Sequence, residues 1–168
     1  LCFNVIKHTK SKGLRVILTI NGTVFNEAIA RKLTDIGTDI ICISLDGASP
    51  KVHDAIRGLD GAFEKVIEGV RLLNHYRKNG HPIKVFILTL HNENLDELLD
   101  YLVLAKSLSI DAVYVTSLVL DNIKLYSHAQ ESPLWIKGER LVKLDAIIDK
   151  AHELQDKYYH FDYPSFQL

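Results

Sequence analysis

The stretch Asp39-Ile40-Ile41-Cys42-Ile43-Ser44-Leu45-Asp46-Gly47-Ala48-Ser49-Pro50 decides the fold. Its first half is apolar and largely β-branched, with no in–out alternation, and turns polar only at Ser44 and Asp46. Such a run suits a strand covered on both faces, as in a parallel sheet. Ser49 then places a capping hydroxyl ahead of Pro50, whose fixed φ suits the first helical position, so a short helix is expected directly after the strand.

The same alternation extends in both directions. Strand-like runs are expected at Leu14 to Ile20, Ile83 to Leu90 and Asp111 to Leu118, besides Asp39 to Leu45. Apolar stripes of helical period separate them: Phe25, Ile29, Leu33 and Ile36; then Phe63, Val66, Ile67, Val70 and Leu73; then Leu95, Leu98, Leu99 and Leu102. A last stripe, Leu141, Leu144, Ile147, Ile148, Ala151 and Leu154, follows the fourth strand. Asn94 with Glu97 three residues on resembles a capping box. Gly13, Gly37 and Gly80 fall where helices should end in a left-handed residue. Strands alternating with helices imply right-handed crossovers and an α/β fold with a parallel sheet, barrel-like or doubly wound. No internal linker or repeat divides the 168 residues, which read as a single domain.

Bulk composition excludes several function classes. Twenty basic against 21 acidic residues give a net charge of −1, which offers no electrostatic basis for binding nucleic acid. The short cluster Lys7, Lys10, Lys12 and Arg15 reads as a solvated helix end. No apolar run approaches the roughly 20 residues that span a bilayer, and nothing resembles a signal peptide. The opening Leu1-Cys2-Phe3-Asn4-Val5-Ile6 reads as the middle of a helix and the chain has no Met, so an internal piece of a larger protein is expected. Cys2 and Cys42 are too few and too far apart for a disulfide framework or a metal site, and Cys42 reads as a buried, inert thiol. Reduced cysteines without an export signal point to the cytoplasm.

Each strand turns polar at its C-terminal end: Thr19 and Asn21, Ser44 and Asp46, Thr89 and Asn92, Thr116 and Ser117. Ligands of parallel α/β folds bind at that edge, so the set reads as one face of a pocket. Singly, each such residue is as well explained by capping a helix or satisfying loop backbone.

The segments Asn21-Gly22-Thr23, Ile43-Ser44-Leu45-Asp46-Gly47, His53-Asp54-Ala55-Ile56-Arg57-Gly58 and Gly61 through Val70, with Asn94 and Asp96-Glu97-Leu98, occur in an order that resembles the middle of a radical S-adenosylmethionine (SAM) domain. The resemblance covers roughly residues 13 to 118 and is nearest to the molybdenum-cofactor, pyrroloquinoline-quinone and haem-modifying branch. It implies a partial TIM-like (β/α) barrel with outer helices, lacking its first strands, that binds SAM and a 4Fe–4S cluster at the strands' C-terminal ends. In such enzymes a CxxxCxxC loop ligates the cluster, and reductive cleavage of SAM releases a 5′-deoxyadenosyl radical that abstracts hydrogen from substrate. The cofactor carries the chemistry and the protein places it.

Carried onto this sequence, the resemblance implies that Ser44 contacts SAM through its carboxylate or ribose. Asp46 would accept from a ribose hydroxyl or the ammonium group, although a turn-stabilising Asp-Gly is an equal reading. Arg57 resembles an arginine that reaches the SAM carboxylate, where a bidentate fork fits; a surface salt bridge is the alternative. Asn21 matches the family's Thr-Asn-Gly, but Ile20 stands where many members have Thr, which leaves Thr19 as a weaker substitute. Neither the cysteine loop nor a Gly-Gly-Glu-type segment is present, and Cys2 lies too near the Asn-Gly turn to be a cluster ligand. The chain alone is therefore expected to be inactive.

The histidines form no rival site: His8, His75, His81, His152 and His160 stand at no ligand spacing, and His53 reads as capping or packing. His91 and His128 follow strands three and four, within reach of the pocket. Two other functions stay open: a barrel lyase or hydrolase using Asp46 and Asp121 as acid and base, and a non-catalytic module binding a nucleotide or a partner. The substrate, small molecule or peptide, is unspecified; Tyr126 and Trp135 could line its side or serve as loop anchors. Finally, Leu14 to Ile20 is apolar, free of proline and blunted only by Arg15, so it is expected to be an open sheet edge through which the chain self-associates, unless Tyr158 to Leu168 folds back over it.

Overall fold

The computed structural model of the chain describes residues 2–118 and 132–158. In chain order the elements are α1 (Cys2–Ser11), β1 (Ile17–Ile20), α2 (Glu27–Asp35), β2 (Ile40–Ser44), α3 (Pro50–Arg57), α4 (Ala62–Tyr76), β3 (Ile83–Leu90), a 3-10 turn (Leu95–Glu97), α5 (Leu98–Ser107), β4 (Ala112–Ser117) and α6 (Glu139–Tyr158). The four strands are parallel and lie in sequential order β1-β2-β3-β4. Sequential order with right-handed crossovers returns every helix to the same side of the sheet. This is the arrangement of part of a TIM-like barrel with outer helices, not of a doubly wound sheet, in which strand order reverses and helices cover both faces.

Burial follows from that one-sidedness. Ile41, Ile43, Phe86, Leu88 and Val113 point to the helices and are buried, packed with Val66, Val70 and Leu73 of α4 and with Leu98 and Tyr101 of α5. The register sets Ile17, Ile40 and Ile83 in one row of the opposite face, Thr19, Cys42, Val85 and Ala112 in the next, and Ser44, Ile87 and Tyr114 above them. All of these are half-buried or exposed. The expectation of strands covered on both faces is thus corrected: among the described residues helices cover one face only. Cys42 sits on the open face and is half-buried, with its thiol pushed up by desolvation against an opposing hydrogen bond with Thr19.

β3 spans the expected residues, but β1 and β4 begin later than the apolar runs suggest. Ahead of β1 a carboxylate takes over the backbone, and a second carboxylate bonds the start of β3. Asp39, just before β2, accepts from Val16 N–H at 2.7 Å and pairs with Lys10 at 2.8 Å, which holds its carboxyl below the usual range. Asp111, just before β4, accepts from Lys84 N–H at 2.7 Å and pairs with Arg77 at 2.7 Å. Lys84 itself is fully buried, donating to Asn74 Oδ1 and Ser109 C=O at the strands' N-terminal end. That is the stability end of such a fold rather than its ligand end.

The Ser49–Pro50 start is as expected, Ser49 Oγ accepting from Val52 N–H. The Asn94–Glu97 capping box is corrected, since Asn94 makes no side-chain cap bond and both side chains reach across to the loop after β2. The last stripe does form α6, but of its described side chains only Ile147 is buried, and Leu141 is exposed. Arg140 ties α6 down through Asn92 and Asp96. No helix among the described residues is long and apolar enough to cross a membrane.

Candidate functional site

The C-terminal tips of β1, β2 and β3 converge on a polar layer centred on Asp46. Ser44 is the last residue of β2 and lies on the open face, half-buried; its hydroxyl has no hydrogen-bond partner among the described residues. Ile20 pairs with Ile43, so Asn21 leaves β1 at the level where Ser44 ends β2. Asn21 Oδ1 accepts from Thr23 N–H and Oγ1 at 3.2 and 3.0 Å, an Asx turn that leaves its amide N–H groups free of partners there. Gly22 follows at φ 74°, and a Cβ would stand 2.9 Å from Val66 Cγ2, so only glycine fits this turn between strand and helix layer. Thr19 lies exposed on the open face, in the row of Cys42.

Asp46 is enclosed where Ser44 is not. Its side chain is 5% exposed, with Oδ2 2.6 Å from Arg57 Nη2 and Oδ1 accepting from Thr89 N–H at 3.3 Å. Its backbone is used as fully. The N–H donates to His53 Nδ1 at 3.0 Å, and the C=O accepts from Asn94 Nδ2 at 3.0 Å. Asn94 also donates to Thr89 C=O and accepts from His91 N–H, so this 1% exposed amide is satisfied on both sides. Glu97 completes the layer, accepting from Ala48 N–H at 2.7 Å and Ser49 Oγ at 2.5 Å. The turn after β2 is thereby latched to the exit of β3 by partners about 48 residues away.

Burial sets the electrostatics. Desolvation pushes the His53 pKa below its usual 6.5, outweighing the pull of Asp46, so the ring is neutral. The fully buried Tyr101 phenol is raised well above its ordinary value, first by desolvation and then by Asp46. His53 Nε2 and Tyr101 Oη are both buried without a partner.

The structure therefore gathers Ser44, Asn21 and Thr19 along the open edge and joins Asp46 directly to Arg57. The salt-bridge reading of Arg57 holds, but with a buried partner rather than a surface one. Asn92 and His91 serve the loop: Asn92 binds Arg140 and Pro133, and buried His91 accepts from Glu93 N–H. Asp121, Tyr126, His128 and 159–168 lie outside the described residues. Trp135 is 37% exposed. His53 is the packed histidine expected, whereas the roles of Asn94 and Glu97 escaped the sequence reading, since only the fold brings them to the turn after β2. No group of metal-ligating side chains occurs among the described residues, with Cys2 exposed on α1 and Cys42 mid-strand on β2. They do not fit an iron–sulfur cluster.

Comparison with known proteins places this arrangement. The radical SAM superfamily matches residues 1–105. The AdoMet-dependent heme synthase of Methanosarcina barkeri is 36% identical over 117 residues, 70% of this chain and 32% of that protein. Molybdenum cofactor biosynthesis protein 1 of Mus musculus is 32% identical over 114 residues, 67% of this chain and 17% of that protein. The chain thus spans about a third or less of the curated relatives it matches. Among solved structures, anSMEcpe with bound AdoMet and Kp18Cys peptide superposes with a TM-score of 0.67 at 16% identity, over 87% of this chain and 39% of that one. Streptococcus suis SuiB does so with a TM-score of 0.68 at 11% identity, over 91% of this chain and 33% of that one.

Proposed function

Because the chain belongs to the radical SAM superfamily, we propose that it forms the SAM-binding stretch of a radical SAM enzyme, with the tips of β1 and β2 facing the ligand. The observation that carries this reading is Ser44. A hydroxyl without a partner among the described residues ends a strand on the open face, two residues ahead of the aspartate that holds Arg57.

In this reading Ser44 donates to SAM's carboxylate or ribose, and Arg57 offers the carboxylate the guanidinium N–H groups not engaged by Asp46. Asn21 and Thr19 border the same edge, and Gly22 keeps the turn clear. Bound SAM would supply the deoxyadenosyl group that the family releases reductively to take hydrogen from a substrate. The 4Fe–4S ligands would come from outside this chain, which alone would be inactive. A small molecule or peptide substrate, no nucleic-acid or membrane partner, and a cytoplasmic setting complete the proposal. The haem and molybdenum-cofactor relatives support that branch.

Two measurements test it. In the whole protein that carries this chain, Ser44→Ala should raise the Kd for SAM about fivefold, the worth of one hydrogen bond of about 1 kcal/mol, with the fold intact. Unchanged affinity in calorimetric titration would overturn the assignment. Reconstitution of this chain alone with iron and sulfide should give no 4Fe–4S absorption, and a stoichiometric cluster would show that its own thiols suffice.

A further inference from the structure

Asp46 is the most heavily tethered residue of the site, yet barely able to touch a ligand. Its side chain is 5% exposed, whereas Arg57, bonded to it, is 34% exposed. Four groups from three segments hold it: His53 Nδ1 on its N–H, Asn94 Nδ2 on its C=O, Thr89 N–H on Oδ1 and Arg57 Nη2 on Oδ2. His53 and Asn94 are themselves 0% and 1% exposed, so the carboxylate has no room to swing outward. Arg57, by contrast, spends one of its five N–H donors on Asp46, and the others have no partner among the described residues.

We infer that Asp46 is a positioning residue: it fixes the Arg57 guanidinium in advance for an anionic group of the ligand and does not meet the ligand itself. A free arginine would lose rotamer freedom on binding, and holding it beforehand strengthens binding by roughly threefold to tenfold. A contact through Nη2 suits this role, because it restrains the guanidinium from one side while its other N–H groups can form the fork that a carboxylate fits. This inference rests on the SAM reading above and adds to it which residue acts through which.

A double-mutant cycle on SAM affinity in the whole protein separates the possibilities. Asp46→Asn keeps an acceptor for Thr89 N–H but loses the charge, and Arg57→Gln keeps a donor for residue 46, so both are expected to fold. Asp46→Asn should raise the Kd about fivefold alone and less than about 1.5-fold in the Arg57→Gln background. An undiminished fivefold effect in that background would mean that Asp46 contacts SAM directly, and the inference would be wrong. A wild-type protein that fails to bind SAM would sink the functional reading and this inference together, a different pattern from the first. A second readout needs no variant. The Arg57 side-chain N–H resonance of ligand-free wild type should be shifted and slow to exchange, and a freely exchanging signal would overturn the inference by itself.

Discussion

His53 is a buried histidine whose work is done by its neutral form. Its Nδ1 accepts the Asp46 N–H, so the ring proton must sit on Nε2, inside the core. Burial keeps the folded-state pKa below 6.5, while the unfolded chain takes up a proton near that value. The unfolded state therefore binds more protons just below pH 6.5, and stability from this residue is complete above 6.5 and lost as pH falls beneath it. Thermal melts should show the wild type losing stability as pH falls below about 6.5, and His53→Gln should flatten that slope; identical slopes would remove His53 as the cause. Asn94 makes a second residue-scale case. Asn94→Ala would strand Asp46 C=O, Thr89 C=O and His91 N–H in a buried layer and should cost about 3 kcal/mol in chemical denaturation. A loss below about 1 kcal/mol would mean that water replaces the amide.

Among the elements, α4 is the one most tightly fitted to its neighbours. Gly69 lies on its buried face, and a Cβ there would come within 2.5 Å of the Phe25 ring. Gly69→Ala should destabilise by about 2 kcal/mol through overpacking, and Phe25→Leu in the same chain should recover part of it. Urea midpoints measure both, and simple additivity of the two losses would show that the contact is not the cause. The α4 stripe was legible because every third or fourth residue from Phe63 to Leu73 is apolar and all are buried. The bounds of β3 were legible for a similar reason. The late start of β1 was not, because Asp39 acts on backbone 23 residues away, beyond any local pattern. The cap misread at Asn94 has a nearer origin: the local spacing fits a box, but Oδ1, the atom that would cap, accepts from His91 N–H instead. At the site, the polar residues do stand at the strand tips as their sequence position implies, while the partner of Arg57 depended on the fold.

For the molecule as a whole, the consequential fact is that helices cover one face of the sheet. β1 pairs with β2 alone among the described strands, and Ile17 is 63% exposed on the open side. An apolar edge of this kind recruits another strand, so the chain is proposed to self-associate through β1 and the face beside it. Light scattering should show mass rising with concentration, and Ile17→Lys should lower it. A strict monomer at all concentrations would disprove the association. The three aspartates at the strand ends carry a last consequence. Asp39 binds β1 to the start of β2, Asp111 binds β3 to the start of β4, and Asp46 binds the end of β2 to β3. Each is a caliper between neighbours, fixing how far one strand is offset along the next. In a sheet that rolls toward closure, strand number and stagger together fix the girth. These carboxylates are therefore gauges of circumference, and the width of the mouth in which a ligand must fit is set partly at the opposite end of the strands.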